Sequence, residues 1–238
     1  MKKQALLDFL IPILVLISLT MIFWFTNLDI ALEKYFYSPE KGWFLKKANP
    51  WNFLYHYGRI PGITLGIISL LVVGISFLSN RIFRFRRIAI FLVLIFIIGP
   101  GLVVNSIFKE NWGRPRPRQI ADFGGKKAFL PVWVKGVSGE GKSFPSGHAS
   151  IGYFMFSPFF FLRRTNKEGA VVFLILGITY GTLMGTGRMI QGGHFASDVL
   201  WAGGFTYLTG LILYYGLRLD KNIWWGISHR RRTQRTRK

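Results

Sequence analysis

The chain of 238 residues has no cysteine and few acids, with ten Asp and Glu against 31 Lys and Arg and a formal net charge of +21. Without cysteine, disulfides, thiolate zinc sites and a cysteine nucleophile are excluded. Also missing are strand-like alternation, an internal repeat, a low-complexity linker and any break in composition. Residues 1–238 therefore read as one domain.

What is abundant is apolar and aromatic. Half of the residues are hydrophobic, and there are 23 Phe and eight Trp, which places the chain with membrane proteins. The basic residues sit in short clusters between apolar runs rather than along one polar face, so membrane topology accounts for them and nucleic acid is not expected as a partner.

Apolar stretches run from Phe9 to Phe25 or Thr26, and then from about Ile60 to Leu78, Ile88 to Phe108, Ala149 to Leu162, Ala170 to Gly187 and Val199 to Leu217. Met1-Lys2-Lys3 begins like a secretory signal, but no small-x-small cleavage site follows, so the first stretch is expected to stay as a span. Lipid admits only helices or closed barrels, and the predicted fold is all-α, a bundle of six transmembrane helices. Lys2 and Lys3, Arg81 to Arg87, Arg163 to Lys167, and a basic tail from about 218 to 238 then fall on one side. The positive-inside rule makes that side, with both termini, cytoplasmic. The tail could also attract anionic lipid. The loop from about Asn27 to Arg59 is rich in aromatics, among them Trp43, Trp51 and Tyr55, and is expected to be a surface-lying anchor rather than a substrate-gripping loop.

The opposite side carries cations that break the charge rule, as a phosphate site there would require. Three stretches stand out. In Lys109-Glu110-Asn111-Trp112-Gly113-Arg114-Pro115-Arg116-Pro117 a span ends in cations stiffened by prolines; alone, this could be a snorkelling helix end. Ser143-Phe144-Pro145-Ser146-Gly147-His148 suits a helix start with free N–H groups, or a plain cap followed by an ordinary histidine. In Arg188 to Asp198, His194 and Asp198 are four apart, so the carboxylate could hold one imidazole nitrogen and leave the other as a nucleophile; the bland alternative is a structural His-Asp pair.

Taken together, the three stretches resemble the tripartite signature of the type 2 phosphatidic acid phosphatase superfamily, which includes vanadium haloperoxidases and glucose-6-phosphatase. Lys109 with Arg116-Pro117 fits its first motif, Pro145 to His148 the second, and Arg188, His194 and Asp198 the third. Gly187 stands where the family usually has Ser. The resemblance implies that His194 attacks phosphorus while Asp198 holds its far nitrogen, and that His148 protonates the leaving oxygen and later activates water. It also implies that Lys109, Arg116, Arg188, Ser146 and the N–H of Gly147 hold the phosphate, with Arg114 as an alternative ligand that spacing disfavours. No Asp/Glu cluster accompanies the site, and no metal or other cofactor is expected. The implied enzyme is a metal-independent membrane lipid phosphatase in a bacterial inner membrane, its site facing the periplasm and its partners the bilayer and a lipid phosphate. Gln191-Gly192-Gly193-His194-Phe195 and the chain length look like the lipid A branch, specifically a 1-phosphatase. Undecaprenyl pyrophosphate and phosphatidylglycerophosphate phosphatases and lipid phosphotransferases share the signature. A vanadium haloperoxidase, which would be soluble, and a non-catalytic scaffold or transporter are the readings from other classes.

Overall fold

In the computed structural model, residues 2–221 are described, so most of the expected basic tail lies outside the described residues. Among them every regular element is helical. In chain order these are α1 (Lys2–Phe25), α2 (Leu28–Lys34), α3 (Trp51–Tyr57), α4 (Ile60–Ile75), α5 (Asn80–Phe83) and α6 (Arg86–Phe96). A π-helical stretch (Ile97–Phe108) continues α6 into α7 (Lys109–Asn111). There follow α8 (Gly147–Tyr153), α9 (Pro158–Leu162), α10 (Lys167–Ile190) and α11 (Ala196–Gly216).

Four of the helical runs are long and apolar enough to cross a membrane: Lys3–Phe25, Trp51–Ile75, Arg86–Asn111 and Lys167–Ile190. Their outer faces expose Leu6, Ile11, Leu14, Ile67, Leu71, Ile175 and Leu176, which in water would be a costly surface and in lipid is the required one. The other two expected spans look different. The fourth is broken into α8, a 3₁₀ turn at Phe154–Phe156 and α9, with Pro158 opening the last piece, because proline has no N–H to continue the ladder. The sixth, α11, has 21 residues and is not among those four runs. It packs against α1, the π stretch, α8 and α10, so its buried side faces protein and can carry Ser197, Asp198, Thr206 and Thr209.

Helix starts follow local chemistry. Asn166 caps α10, its side-chain oxygen accepting the Gly169 N–H at 2.9 Å, and Glu168 in the first turn complements the dipole. The α8–α10 crossing is close because it is built on glycine: a Cβ on Gly152 would lie 2.9 Å from the Gly181 Cα, and one on Gly181 would meet the Tyr153 ring at 2.3 Å. That approach brings the start of α8 to the end of α10. Phe91, Ile95, Phe154, Phe156, Phe160, Leu211 and Tyr214 fill the core between the helices.

One end of the bundle is tied by basic residues. Arg163 pairs with Asp8, Arg164 donates to the Asp220 carbonyl and Arg87 to that of Leu217, while Arg86 Nε donates to Ser76 Oγ at 3.0 Å. Lys109 and Arg188 stand at the other ends of the helices that Arg86 and Lys167 begin. At about 1.5 Å per residue, α10 alone separates its ends by more than 30 Å.

Candidate active site

The three motif stretches meet at the end of the bundle away from those arginines. Lys109 is positioned by the π stretch. Pro100 has no N–H to give, and its carbonyl is capped by Asn105 Nδ2 at 2.7 Å, while Asn105 Oδ1 lies 3.5 Å from the Lys109 ammonium. A Cβ on Gly147 would be 2.4 Å from Asn105 Oδ1 and 3.0 Å from Lys109 Nζ, so only glycine admits the first and second motifs at this spacing. Ser146 caps α8, its Oγ 3.4 Å from the Ala149 N–H, and its own N–H donates to the Asp198 carbonyl at 3.2 Å.

His194 lies between α10 and α11 and is buried. Its Nδ1 is 2.5 Å from the main-chain carbonyl of Ser143. A carbonyl can only accept, so Nδ1 carries the proton and Nε2 keeps the lone pair. Burial, then Lys109, Arg188 and Arg116, push the imidazole well below its ordinary pKa, against the Ser143 carbonyl, so it is neutral.

Asp198 does not make the contact expected of it. Its Oδ2 is 3.9 Å from Nδ1 and instead accepts from Ser143 Oγ at 2.6 Å and the Phe195 N–H at 2.8 Å, the latter being half of a capping box at the start of α11. Its Oδ1 accepts from Arg114 at 2.5 Å. The carboxylate therefore holds the backbone around the imidazole rather than the imidazole itself.

Arg114 is fully buried, and every arm of its guanidinium is engaged: Nη1 with Asp198 and, at 2.8 Å, Ser197 Oγ; Nη2 with Asp29 at 2.8 Å; and Nε with the Leu130 carbonyl at 2.9 Å. Asp29 also accepts from the Ser197 N–H and hydroxyl. This buried network fastens α2 to the start of α11 and commits four of Arg114's five N–H donors within the protein. Arg116, two residues on, has no ion pair among the described residues and is half-buried; burial and then Arg118 lower its pKa. Arg188 is buried, donates to Gln191 and keeps Nε without a partner among the described residues. An anion's oxygen is what such a donor lacks.

His148 heads α8 with its ring stacked on Tyr55, the centroids 5.3 Å apart and the planes 10° apart. Its pKa is lowered to about 3, by burial first and then by Arg188, Arg59 and Lys109, while the Tyr55 carbonyl acts in the opposite direction. The Arg188 guanidinium carbon in turn lies 4.7 Å from the Tyr55 centroid. The aromatic loop is therefore more than an anchor: Tyr55 lines the site, Trp43 covers Gly192, and Trp51 lies 3.8 Å from where a Gly187 Cβ would be. The sequence signal for these residues was aromatic density alone, which lipid interfaces and sites share. For Asp29 and the Ser143 carbonyl there was none.

Glu33, on α2 beside Asp29, is buried with both oxygens unpartnered among the described residues. Burial, and then Asp29 and Asp198, raise its pKa well above the carboxylate range, so it is a neutral acid. Among the described residues no group of three His, Cys, Asp or Glu could hold a metal ion.

The arrangement offers one lone pair under the charge of Lys109, Arg188 and Arg116, with His148 under two of the same cations, which suits in-line attack on a phosphoryl group. The family model described as PAP2 superfamily matches residues 89–221. A protein named lipid A 4′-phosphatase from Francisella tularensis subsp. novicida (strain U112) is 37% identical over 193 residues, 80% of this chain and 86% of its own. One of the same name from Rhizobium etli (strain ATCC 51251 / DSM 11541 / JCM 21823 / NBRC 15573 / CFN 42) is 34% identical over 122 residues, 51% of this chain and 45% of its own. Phosphatidylglycerophosphatase B of Bacillus subtilis (strain 168) is 31% identical over 165 residues, 66% of this chain and 70% of its own. No solved structure matches the chain.

Proposed function

The chain belongs to the PAP2 superfamily, and from that premise we propose that this membrane lipid phosphatase acts on lipid A, removing its 4′-phosphate through a phosphohistidine on His194. The observation that carries the chemistry is the Ser143 carbonyl at Nδ1 of His194, which leaves Nε2 free to attack. His148 gives its proton to the departing oxygen and afterwards takes one from water. Lys109, Arg116 and Arg188, with Ser146 and the Gly147 N–H, hold the phosphate oxygens, and the unpartnered Arg188 Nε supports that role. Asp198 and Arg114 hold the frame.

Chain length and the Gln191 to Phe195 stretch pointed to the 1-phosphate; the relatives named for the 4′-phosphate favour the other end of the headgroup. Phosphatidylglycerophosphate is the second reading, through the Bacillus relative. Incubating the purified protein with bis-phosphorylated lipid A, and locating the lost phosphate by tandem mass spectrometry, separates these readings. Loss from position 1, or faster release from phosphatidylglycerophosphate, reassigns the substrate. Because cations supply the electrostatic work, the rate in EDTA equals that without it; a rate restored only by magnesium overturns this part.

The six segments form a six-span bundle with the arginine-tied end cytoplasmic and the site at the periplasmic face of a bacterial inner membrane. The basic clusters at that end support the orientation. A cysteine placed at Ser138 and labelled by an impermeant maleimide in intact spheroplasts tests it; labelling only after lysis contradicts it.

A further inference from the structure

We propose that Tyr55 is a positioning residue of this site, its ring packed against both His148 and Arg188 so that it sets the plane of the imidazole and the place of the guanidinium. The inference rests on the reading of His148 as acid and base in lipid phosphate hydrolysis.

The Tyr55 ring packs against both groups. The Tyr55 ring is nearly parallel to the His148 ring, at 10° and 5.3 Å, and the Arg188 guanidinium carbon is 4.7 Å from the same centroid. Helix α8 fixes only the backbone of His148, and rotation about its side-chain bonds would swing the proton-carrying nitrogen away from the leaving oxygen. The Tyr55 carbonyl holds one ring nitrogen and the flat neighbour fixes the ring plane, and proton transfer in the transition state depends on such alignment.

The ring is itself well held. Its helix, α3, packs on α10, and the Tyr180 hydroxyl donates to the Gly58 carbonyl at 2.8 Å, just past the end of α3. The face of a phenol ring also carries partial negative charge, which favours both the guanidinium and a protonated His148. Position 55 lies outside the segment matched by the family model, residues 89–221. The three motifs supply the reacting groups, and the preceding helix pair supplies the part that aligns them.

Rates on lipid and pH profiles of kcat for Tyr55→Leu and Tyr55→Phe test this. Leucine keeps the bulk and loses the ring face, so kcat falls about 10- to 100-fold while KM stays within a few-fold. The alkaline limb of kcat moves to lower pH by about half a unit to one unit, because the charged imidazole has lost its favourable neighbour. Phenylalanine keeps the ring face and loses only the hydroxyl's bond to Arg188, so it restores the profile and brings kcat back to within about fivefold of wild type. Tyr55→Met gives the same comparison should the leucine protein not fold.

Wild-type kcat and an unmoved limb in the leucine or methionine protein overturn the inference. So does a phenylalanine protein as impaired as these, or a raised KM at full kcat. Wild-type protein that releases no phosphate from lipid overturns the underlying reading and this inference together; a working wild type indifferent at Tyr55 overturns the inference alone.

Discussion

The carbonyl oxygen of Ser143 lies 2.5 Å from Nδ1 of His194, closer than the Asp198 carboxylate at 3.9 Å. The tautomer of His194, the proposed nucleophile, is thus set by main chain, and the acid of the third motif acts one step removed.

Ser143→Ala keeps the carbonyl and loses only the hydroxyl bond to Asp198. It is expected to retain activity within about tenfold of wild type, one net hydrogen bond being worth roughly 1 kcal/mol. Asp198→Ala removes the partner of Arg114, Ser143 and the Phe195 N–H together, so it lowers the thermal midpoint as well as the rate. Detergent-phase melting and phosphate release distinguish the two. An alanine at 143 as inactive as one at 194 contradicts the assignment.

Arg114 and Arg116 are neighbours in sequence with opposite expected phenotypes. Arg114→Ala leaves Asp29 and Asp198 buried without their cation and costs about 3–5 kcal/mol of stability. Arg116→Ala melts as wild type does, and its kcat/KM falls by about 10²- to 10³-fold through lost phosphate stabilisation. Melting curves of equal midpoint for the two variants contradict this division.

Glu33 is read as a neutral acid, so Glu33→Gln changes little in stability or rate, whereas Asp29→Asn removes a charge that Arg114 uses and destabilises. A glutamine at 33 as damaging as the asparagine at 29 would mean that Glu33 is ionised.

Two pH dependences follow from the histidines. The unfolded chain takes up a proton at His194 near pH 6.5, the folded protein only far below, so stability is lost as pH falls through 6.5. Thermal midpoints at several pH values measure this, and His194→Asn makes the decline shallower. Burial first, and then Arg188, Arg59 and Lys109, lower the pKa of His148 to about 3; a bound phosphate offsets those cations and raises it. The alkaline limb of kcat, which reports the complex, is therefore expected well above pH 3. A kcat that is flat with pH contradicts the role of His148.

Much of the proposed site was legible in residue types. Lys109, Arg116, His148, Arg188 and His194 announce themselves because charges and imidazoles are expensive at a membrane face. What was not legible is what residue type does not encode. The partner of His194 is a carbonyl that any residue at 143 would offer. What occupies Arg114 is Asp29, more than 80 residues away, a pairing that no spacing betrays. Tyr55 was read as an interfacial aromatic because its neighbours in sequence are of that kind. In the fold, the apolar runs of α1, α4, α6 and α10 were plain, whereas the break within residues 147–162 and the polar inner side of α11 depend on packing against protein rather than lipid.

The most direct test of the central claim is to trap the intermediate. Lipid bearing radiolabelled phosphate is mixed with the protein for milliseconds and quenched in alkali, in which N-phosphohistidine survives. The account predicts label on the peptide that contains His194, lost again in acid and absent from His194→Ala. Label on any other residue, or turnover with inversion at phosphorus and no labelled protein, contradicts it.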